Sequence, residues 1–177
     1  MKLVYPTLAY KEKAIEYMNE FYEHGSQING AGGLNRFLKE STYEEWIEYV
    51  RSEMDIANLP EEKVPALTYF FVREEDDRII GMTNIRLSLN DFLRSEGGHI
   101  GYAIRPTERR KHYAIEQLKA ALAVYRRVGI EEVLVSCYKD NVASAGVIQK
   151  CGGILQREFF SENCNKMMQM YVISNRI

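Results

Sequence analysis

The sequence predicts an α/β or α+β domain in three layers, with a mixed sheet between helices. Three observations lead to this fold class. Two early segments carry apolar residues at helical spacing, the middle of the chain alternates apolar and polar residues, and the last part switches between both patterns. The resulting order β-α-α-β-β-β-α-β-α-β-β places helices on both sides of a sheet. A length of 177 residues suits one domain spanning residues 1–177.

The first part of the chain predicts a short strand followed by two helices. Residues 10–22 form the first helix, and the glycine-rich residues 25–33 form a loop. The second helix begins near Thr42, because Glu45 three residues later permits a capping box. The apolar face of the first helix comprises Ala14, Met18 and Phe21. The buried stripe of the second comprises Trp46, Val50 and Met54.

The middle of the chain predicts three strands. Residues 67–73 are rich in aromatic and β-branched side chains, and an acidic turn connects them to a long partner strand at residues 78–89. A third strand covers residues 98–105, and Pro106 ends it. Within the strand at 78–89, apolar and polar residues alternate from Thr83 to Leu89, so we expect one of its faces to be buried.

The C-terminal part alternates helices and strands. A helix is predicted over residues 111–128, followed by a continuously apolar strand at 133–137 of the kind buried on both faces. Another helix covers residues 141–150. Two final strands, 154–160 and 166–173, are joined by a polar turn.

Composition excludes several classes of function. The formal net charge of −2 gives no reason to expect a nucleic-acid partner. No apolar stretch approaches the roughly 20 residues that a membrane helix needs, and no signal-peptide pattern is visible. Cys137, Cys151 and Cys164 lack metal-ligand spacing. We therefore expect a reduced, cytoplasmic protein without metal or membrane partners.

A basic loop lies between the third strand and the following helix. It contains Arg105 and the run Arg109-Arg110-Lys111. The unpaired N–H groups at a helix start, together with the helix dipole, form a site for small anions such as phosphates. A solvated basic turn would have the same residues, so the loop alone leaves both interpretations open.

Two motifs frame the central part of the chain. The first follows the pattern Ile104-x-Pro106 and consists of Arg109, His112 and Ala114. The second opens and closes a helix and consists of Asn141, Ser144, Lys150 and Gly152. In this order they resemble the loop R/Q-x-x-G-x-G/A and the Asn-x-x-Ser signature of the GNAT superfamily of acyltransferases. The resemblance covers about residues 69–153. The sequence is also similar to a poorly characterised bacterial branch of predicted acetyltransferases.

The resemblance implies a mostly antiparallel sheet with splayed central strands that hold acetyl-CoA. The backbone of Tyr102 and Ile104 would bond the thioester carbonyl and the pantetheine arm. Asn141 would bond the pantetheine arm, and Ser144 would anchor the cofactor or cap its helix. Asn141 is equally well explained as a helix N-cap. The pyrophosphate would lie against the amides of Arg109, Arg110, Lys111, His112, Tyr113 and Ala114.

Two residues depart from the family pattern. His112 replaces a glycine that lets phosphate oxygens approach the backbone, so we expect its imidazole to crowd them. The imidazole could instead point outward or donate a charged hydrogen bond to phosphate. Ile148 replaces the tyrosine that protonates the leaving thiolate in many members, so that acid is missing or supplied from elsewhere.

Three residues are candidates for acid–base catalysis. Glu96 and His99 precede the basic loop and are candidates for the general base. Strand alternation favours Glu96, because it shares the parity of Tyr102, whereas His99 could bond across the sheet instead. Tyr138 is a candidate acid, with surface packing as its alternative role.

The sequence therefore predicts an N-acetyltransferase that transfers the acetyl group of acetyl-CoA to a primary amine by direct attack. The alternative is a degenerate family member that binds CoA or another anion without turnover, which His112 and Ile148 would explain. No hydrolase signature is present. The acceptor, a small molecule or a peptide amine, is left open, and so is the oligomeric state, a homodimer included.

Overall fold

A computed structural model describes residues 1–176 of the chain. The helices are α1 (Lys11–Glu23), α2 (Leu34–Glu40), α3 (Tyr43–Ser52), α4 (Tyr113–Arg127) and α5 (Val142–Lys150). The strands are β1 (Lys2–Val4), β2 (Ala66–Arg73), β3 (Arg78–Arg86), β4 (Ile100–Ile104), β5 (Glu132–Tyr138), β6 (Gly153–Ser161) and β7 (Lys166–Ser174). Apart from α2, each of these elements was predicted in the observed order.

The strands form two antiparallel sheets whose facing edges are β4 and β5. One sheet has the order β1-β2-β3-β4 and the other the order β5-β7-β6. The backbone N–H of His99 donates to the carbonyl of Leu134 at 2.8 Å, which joins the two sheets at one end. Beyond this contact, no ladder pairs β4 with β5 in the described chain. The predicted α/β fold, with mostly antiparallel strands, splayed central strands and helices on both faces, is confirmed, and each strand pairing in the described chain is antiparallel where a mixed sheet was expected.

Apolar cores on the two faces of the sheets stabilise this arrangement. One packs α1 and α3 against β2 and β3, with Phe21, Trp46 and Phe70 fully buried. The other packs α4 and α5 against β5 and β7 around Tyr125 and Tyr171. None of the helices within residues 1–176 combines the length and the apolar character needed to cross a membrane.

The start of α3 follows the predicted capping box. The Thr42 hydroxyl accepts from the Glu45 N–H at 3.2 Å, and a Glu45 carboxylate oxygen accepts from the Thr42 N–H at 3.1 Å. Trp46 and Val50 are buried as expected, but Met54 is 43% exposed. The prediction for Met54 was wrong because α3 ends at Ser52, so that helical spacing no longer applies.

The segment before β4 differs most from its prediction. The strand predicted over residues 98–105 is confined to Ile100–Ile104, and Leu93–Gly97 form a π-helical turn. The Asn90 side chain accepts from the Leu93 N–H at 2.9 Å, which starts the turn. Gly98 ends it with a φ of 66°. A Cβ there would lie 2.8 Å from the carbonyl oxygen of Leu134. Glycine is therefore needed where the two sheets meet.

Candidate active site

The cleft between β4 and β5 is lined by unpaired backbone groups of β4. In an antiparallel ladder, alternate residues bond to the neighbouring strand. The Arg105 N–H donates to the Ile80 carbonyl at 2.9 Å, so the odd-numbered residues of this segment face β3. Tyr102 and Ile104 have the opposite parity, and their N–H and C=O groups face the cleft. This is the orientation that a ligand strand between the sheets would require.

The Arg109 side chain is exposed but makes contacts within the chain. Its Nε donates to the Ile104 carbonyl at 3.0 Å, and its Nη2 donates to the Ser26 hydroxyl at 2.6 Å. The guanidinium also lies 5.6 Å from the ring centre of Phe21. Arg109 therefore ties the end of β4 to the loop between α1 and α2, and it occupies the carbonyl of Ile104.

The loop after β4 presents the N-terminus of α4 at the mouth of the cleft. Arg110 and His112 both adopt left-handed backbone conformations, with φ of 63° and 65°. His112 is the N-cap residue, and α4 begins at Tyr113 without a side-chain cap. The first N–H groups of the helix, including that of Ala114, therefore have no side-chain cap as partner. Together with the positive end of the helix dipole they favour an anion.

Two basic residues of this loop, Lys111 and Arg105, are held in ion pairs with glutamates of the chain. Lys111 donates to the buried carboxylate of Glu108 at 2.8 Å, and the guanidinium of Arg105, 1% exposed, binds Glu20 at 2.7 Å. Burial raises the pKa of Glu20, but hydrogen bonds from Arg105 and Thr107 outweigh it and lower that pKa to about 2. These pairs were not visible in the sequence, because the glutamates lie in other segments or point inward.

Arg110 differs from its neighbours. It is exposed, and within residues 1–176 its side chain makes no ion pair or hydrogen bond. It is thus the basic side chain of the loop that is best placed to meet an external phosphate. The His112 imidazole is likewise exposed and without a hydrogen bond in the described chain, so it does not fold back over the loop.

The start of α5 lies across the cleft from β4. The Asn141 side chain accepts from the Ser144 N–H at 3.1 Å, so Asn141 is a helix N-cap. The Ser144 hydroxyl lies 3.2 Å from the Tyr102 hydroxyl. Burial raises the pKa of Tyr102 to about 12, so its phenol keeps the proton at neutral pH.

Glu96 is not placed as its predicted role requires. It lies in the π-helical turn, so the strand alternation that favoured it does not exist. One carboxylate oxygen accepts from the Ser161 hydroxyl at 2.6 Å and from the Asn163 amide at 3.1 Å. Hydrogen bonds from Ser161 and Asn163 lower its pKa. Glu96 therefore connects this turn to the β6–β7 hairpin.

His99 bonds across the two sheets, which was the alternative to its role as a base. Its Nδ1 accepts from the Leu134 N–H at 2.9 Å. Burial, with further contributions from Arg86 and Arg94, lowers its pKa to about 4. The neutral ring then carries its proton on Nε2. Its one accepting nitrogen, Nδ1, is already bonded to the Leu134 N–H and cannot take a proton from a substrate. His99 is a structural residue in this arrangement.

Tyr138 meets the loop between α1 and α2, here called the α1–α2 loop (residues 24–33). The Gln27 side chain donates to the Tyr138 hydroxyl at 2.9 Å. At its centre the loop touches β4, since a Cβ on Gly30 would lie 2.4 Å from the Gly101 oxygen. With the contact from Arg109 to Ser26, the α1–α2 loop spans the cleft from the loop after β4 to the end of β5. The sequence indicated a glycine-rich loop there but not these contacts.

The family comparison covers both sides of this cleft. The sequence model of the acetyltransferase (GNAT) domain matches residues 17–154, which extend from α1 to the start of β6. The chain belongs to the GNAT acetyltransferase family. No protein with a curated description matches this GNAT chain significantly in sequence.

Solved GNAT structures share the fold of this chain. MccE, a microcin C7 self-immunity acetyltransferase in complex with acetyl-CoA and AMP, matches with a TM-score of 0.65 at 18% identity, over 97% of this chain and 91% of its own. RimL, a ribosomal-protein α-N-acetyltransferase in complex with coenzyme A, matches with a TM-score of 0.66 at 16% identity, over 97% and 92%. A chimera of the spermidine N-acetyltransferase SpeG from Vibrio cholerae and hSSAT matches with 0.64 at 11%, over 99% and 97%.

The two departures from the GNAT pattern have different consequences in the structure. Ile148 is fully buried in the core beneath α5, so no hydroxyl reaches the cleft from that position. His112 adopts a left-handed backbone conformation of the kind that glycine readily takes, although it carries a Cβ. In the described part of the chain, no group of three His, Cys, Asp or Glu side chains could hold a metal ion.

Proposed function

We propose that this GNAT protein transfers the acetyl group of acetyl-CoA to a primary amine by direct attack. The observation that carries the proposal is the open edge of β4, where Tyr102 and Ile104 face a cleft that ends at the N-terminus of α4. The N-terminus of α4 and Arg110 provide positive potential where the pyrophosphate would lie. We also propose that the protein is cytoplasmic.

In this proposal each group of the chain has a defined task. The Tyr102 N–H donates to the thioester carbonyl and stabilises the negative charge that forms there when the amine attacks. The Ile104 N–H holds the pantetheine arm, because the Ile104 carbonyl already accepts from Arg109. The carbon–sulfur bond then breaks, and the thiolate takes up a proton. The attacking nitrogen releases one proton as the amide forms, and the hydroxyl pair of Tyr102 and Ser144 passes a proton to the thiolate in exchange for that one, in place of the missing tyrosine at position 148.

The named activities of fold relatives support an amine acceptor. RimL is named for acetylation of a ribosomal protein at its α-amine, and SpeG for acetylation of spermidine. MccE was solved with acetyl-CoA and RimL with coenzyme A. For this chain we propose the same donor, acetyl-CoA, and the same class of acceptor, an amine, but no individual acceptor.

The second candidate is a family member that binds CoA without turnover. Ile148 favours it, because the usual acid is absent. His112 favours it less than its residue type suggested, since its imidazole is exposed and its backbone keeps the glycine-like conformation. The two candidates share the binding cleft and differ only in whether the thioester is cleaved.

The experiment combines binding with turnover. Acetyl-CoA should bind the purified protein one-to-one by calorimetry, and thiol should be released when a panel of primary amines is added. Arg110→Ala should weaken acetyl-CoA binding by roughly 3- to 10-fold, since a cation near phosphate contributes about 1 kcal/mol. Arg127→Ala, an exposed arginine at the other end of α4, is the matched control and should bind as the parent does. Binding without thiol release would favour the second candidate, and absence of binding would overturn both.

A further inference from the structure

Besides the cleft between β4 and β5, the structure has a cavity next to β4. It lies on the face of the first sheet that α1, α2 and α3 cover. It has a volume of about 320 Å³ and is formed by the α1–α2 loop, the end of α3 and the outer half of β3. Its polar walls include Asn29 from the loop, Glu53 after α3, and Asn84 and Arg86 on β3. The mechanism above uses none of these groups.

The Arg86 guanidinium forms no salt bridge within residues 1–176. Its Nη1 donates to the carbonyls of Gly97 and Gly98 at 3.0 and 2.9 Å, but Nε and Nη2 have no acceptor within residues 1–176. No carboxylate of that part of the chain forms an ion pair with it. Burial lowers its pKa, against the opposing effects of Tyr125 and Glu53. A partly buried guanidinium without an anion is stabilised when a carboxylate binds to it.

Glu53 lines the same cavity and attracts Arg86 electrostatically, but the two side chains form no salt bridge. One carboxylate oxygen accepts from the Tyr49 hydroxyl at 2.6 Å, and Lys63 donates to that hydroxyl at 2.9 Å. Burial raises the pKa of Glu53. The cavity therefore presents a cation and a carboxylate on separate walls. A molecule that carries both a carboxylate and an ammonium group would satisfy both.

The cavity lies next to the part of β4 that faces the proposed thioester. The Nη2 of Arg86 would be 3.6 Å from a Cβ on Gly101, the residue before Tyr102. Gly30 of the α1–α2 loop lies directly above, with its Cα 3.3 Å from the same Cβ position. A ligand whose carboxylate contacts Arg86 is thus held beside β4, under the loop that spans the cleft.

We propose that this cavity is the acceptor subsite and that it binds an α-amino acid, with Arg86 as the residue that recognises the carboxylate. The inference rests on the proposed transfer of acetyl groups to amines and specifies the acceptor. An acceptor with several ammonium groups and no carboxylate fits less well, because it would place additional positive charge beside the unpaired guanidinium.

The test compares acceptors that differ only in the carboxylate. Proteinogenic amino acids are assayed beside the amines that remain after decarboxylation, such as lysine with cadaverine and phenylalanine with phenethylamine. For the preferred pair, kcat/KM with acetyl-CoA should be about 10- to 100-fold higher for the amino acid, as expected for a charge-assisted contact. Binding of the same pairs to the protein in the presence and absence of CoA is measured by calorimetry and should show the same ratio.

Asn84→Asp is the informative variant, because Arg86 itself also holds two backbone carbonyls. The new carboxylate would lie on the same face of β3 as Arg86, two residues away, and would compete with that of the acceptor. It can still bond to Thr68, which now accepts from the Asn84 amide at 3.1 Å. In Asn84→Asp, the ratio of kcat/KM for the amino acid to that for its decarboxylated amine should fall to near 1. Asn165→Asp, the same change in the exposed turn before β7, is the control and should keep the preference.

Equal use of both members of every pair, preference for the decarboxylated amines, or an unchanged ratio in Asn84→Asp would overturn the inference. In these cases amine acetylation itself would still stand if thiol is released. Failure of acetyl-CoA to bind would overturn the proposed function instead, and the binding ratio measured without CoA would then decide whether the cavity recognises amino acids.

Discussion

The hydroxyl groups of Tyr102 and Ser144 lie 3.2 Å apart, although the residues belong to opposite sides of the cleft. Tyr102 lies on β4, the edge of the first sheet, whereas Ser144 lies in the first turn of α5, which follows the edge strand of the second. Apart from the junction at His99 and Leu134, the two edges are not paired in the part of the chain that the structure describes. This hydrogen bond therefore connects the two sheets at the point where they separate.

A double-mutant cycle should detect this connection. We expect Tyr102→Phe and Ser144→Ala to be coupled by about 0.5–1.5 kcal/mol in the free energy of unfolding, the usual contribution of one hydrogen bond. Urea unfolding of the two single variants and the double variant measures the coupling. Independent effects of the two changes would mean that the hydroxyls do not interact in solution.

Asn141 can be tested with a variant that keeps its cap. Serine caps a helix about as well as asparagine, whereas alanine costs about 1 kcal/mol. We expect Asn141→Ser to unfold like the parent and Asn141→Ala to be less stable. If Asn141 also bonds the pantetheine arm, both variants should bind acetyl-CoA up to about 10-fold more weakly. Parental affinity in Asn141→Ser would reduce the residue to a helix cap.

The sequence predicted the order of elements because their side-chain periods are local. The alternation at residues 83–86 of β3 and the helical stripe of α1 reflect which face is buried, and both survive in the structure. The turn at Leu93–Gly97 could not be predicted in this way. It depends on a side-chain contact from Asn90 and on the close approach of Gly98 to the second sheet.

The candidate site was predictable where it depends on backbone geometry and not where it depends on distant partners. The parity of Tyr102 and Ile104 follows from the strand itself. The direction of the Arg109 side chain depends on Ser26. The state of Arg86 depends on the carbonyls of Gly97 and Gly98 and on Glu53, which lines the same cavity without forming a salt bridge to it. Both are properties of tertiary packing, which a single sequence does not reveal.

Gly30 should be required for the position of the α1–α2 loop. Its φ is 70°, and an added Cβ would lie 2.4 Å from the Gly101 carbonyl oxygen, which is backbone and cannot move aside easily. We expect Gly30→Ala to displace the loop from β4 and to increase its proteolysis and amide hydrogen exchange. Gly25→Ala is the matched control, since φ is 55° there but no atom lies within 4 Å of the new Cβ. Similar exchange in both variants would contradict a specific contact at Gly30.

His99 should make stability depend on pH. Its pKa is about 4 in the folded protein and 6.5 when unperturbed, so the unfolded chain binds the proton more readily. The neutral ring therefore contributes stability that is fully present above pH 6.5 and is lost as the pH falls toward 4. His99→Asn places an amide oxygen near the position of Nδ1 and does not titrate. Between pH 6.5 and 4.5 the parent should lose more stability than this variant, and parallel curves would show that His99 is not the responsible group.

Two substitutions of His112 can separate the backbone strain at this position from the effect of its imidazole on stability. A left-handed conformation costs a residue with a Cβ about 1–2 kcal/mol, and glycine avoids most of that cost. Because His112 precedes α4 as its N-cap, glycine does not interrupt the helix there. His112→Gly should therefore raise the free energy of unfolding by about 1 kcal/mol, whereas His112→Ala, which removes the imidazole but keeps the strain, should not.

Acetyl-CoA binding to the same two variants tests the role of the side chain. The imidazole is exposed and makes no hydrogen bond within residues 1–176, so we expect both variants to bind acetyl-CoA about as the parent does between pH 5.5 and 8. Tighter binding in both would mean that the imidazole crowds the phosphates. Weaker binding in both, with a parental affinity that falls as the pH rises, would mean that a charged imidazole contacts them. A change in the glycine variant alone would assign the effect to the backbone, because alanine lacks the imidazole equally.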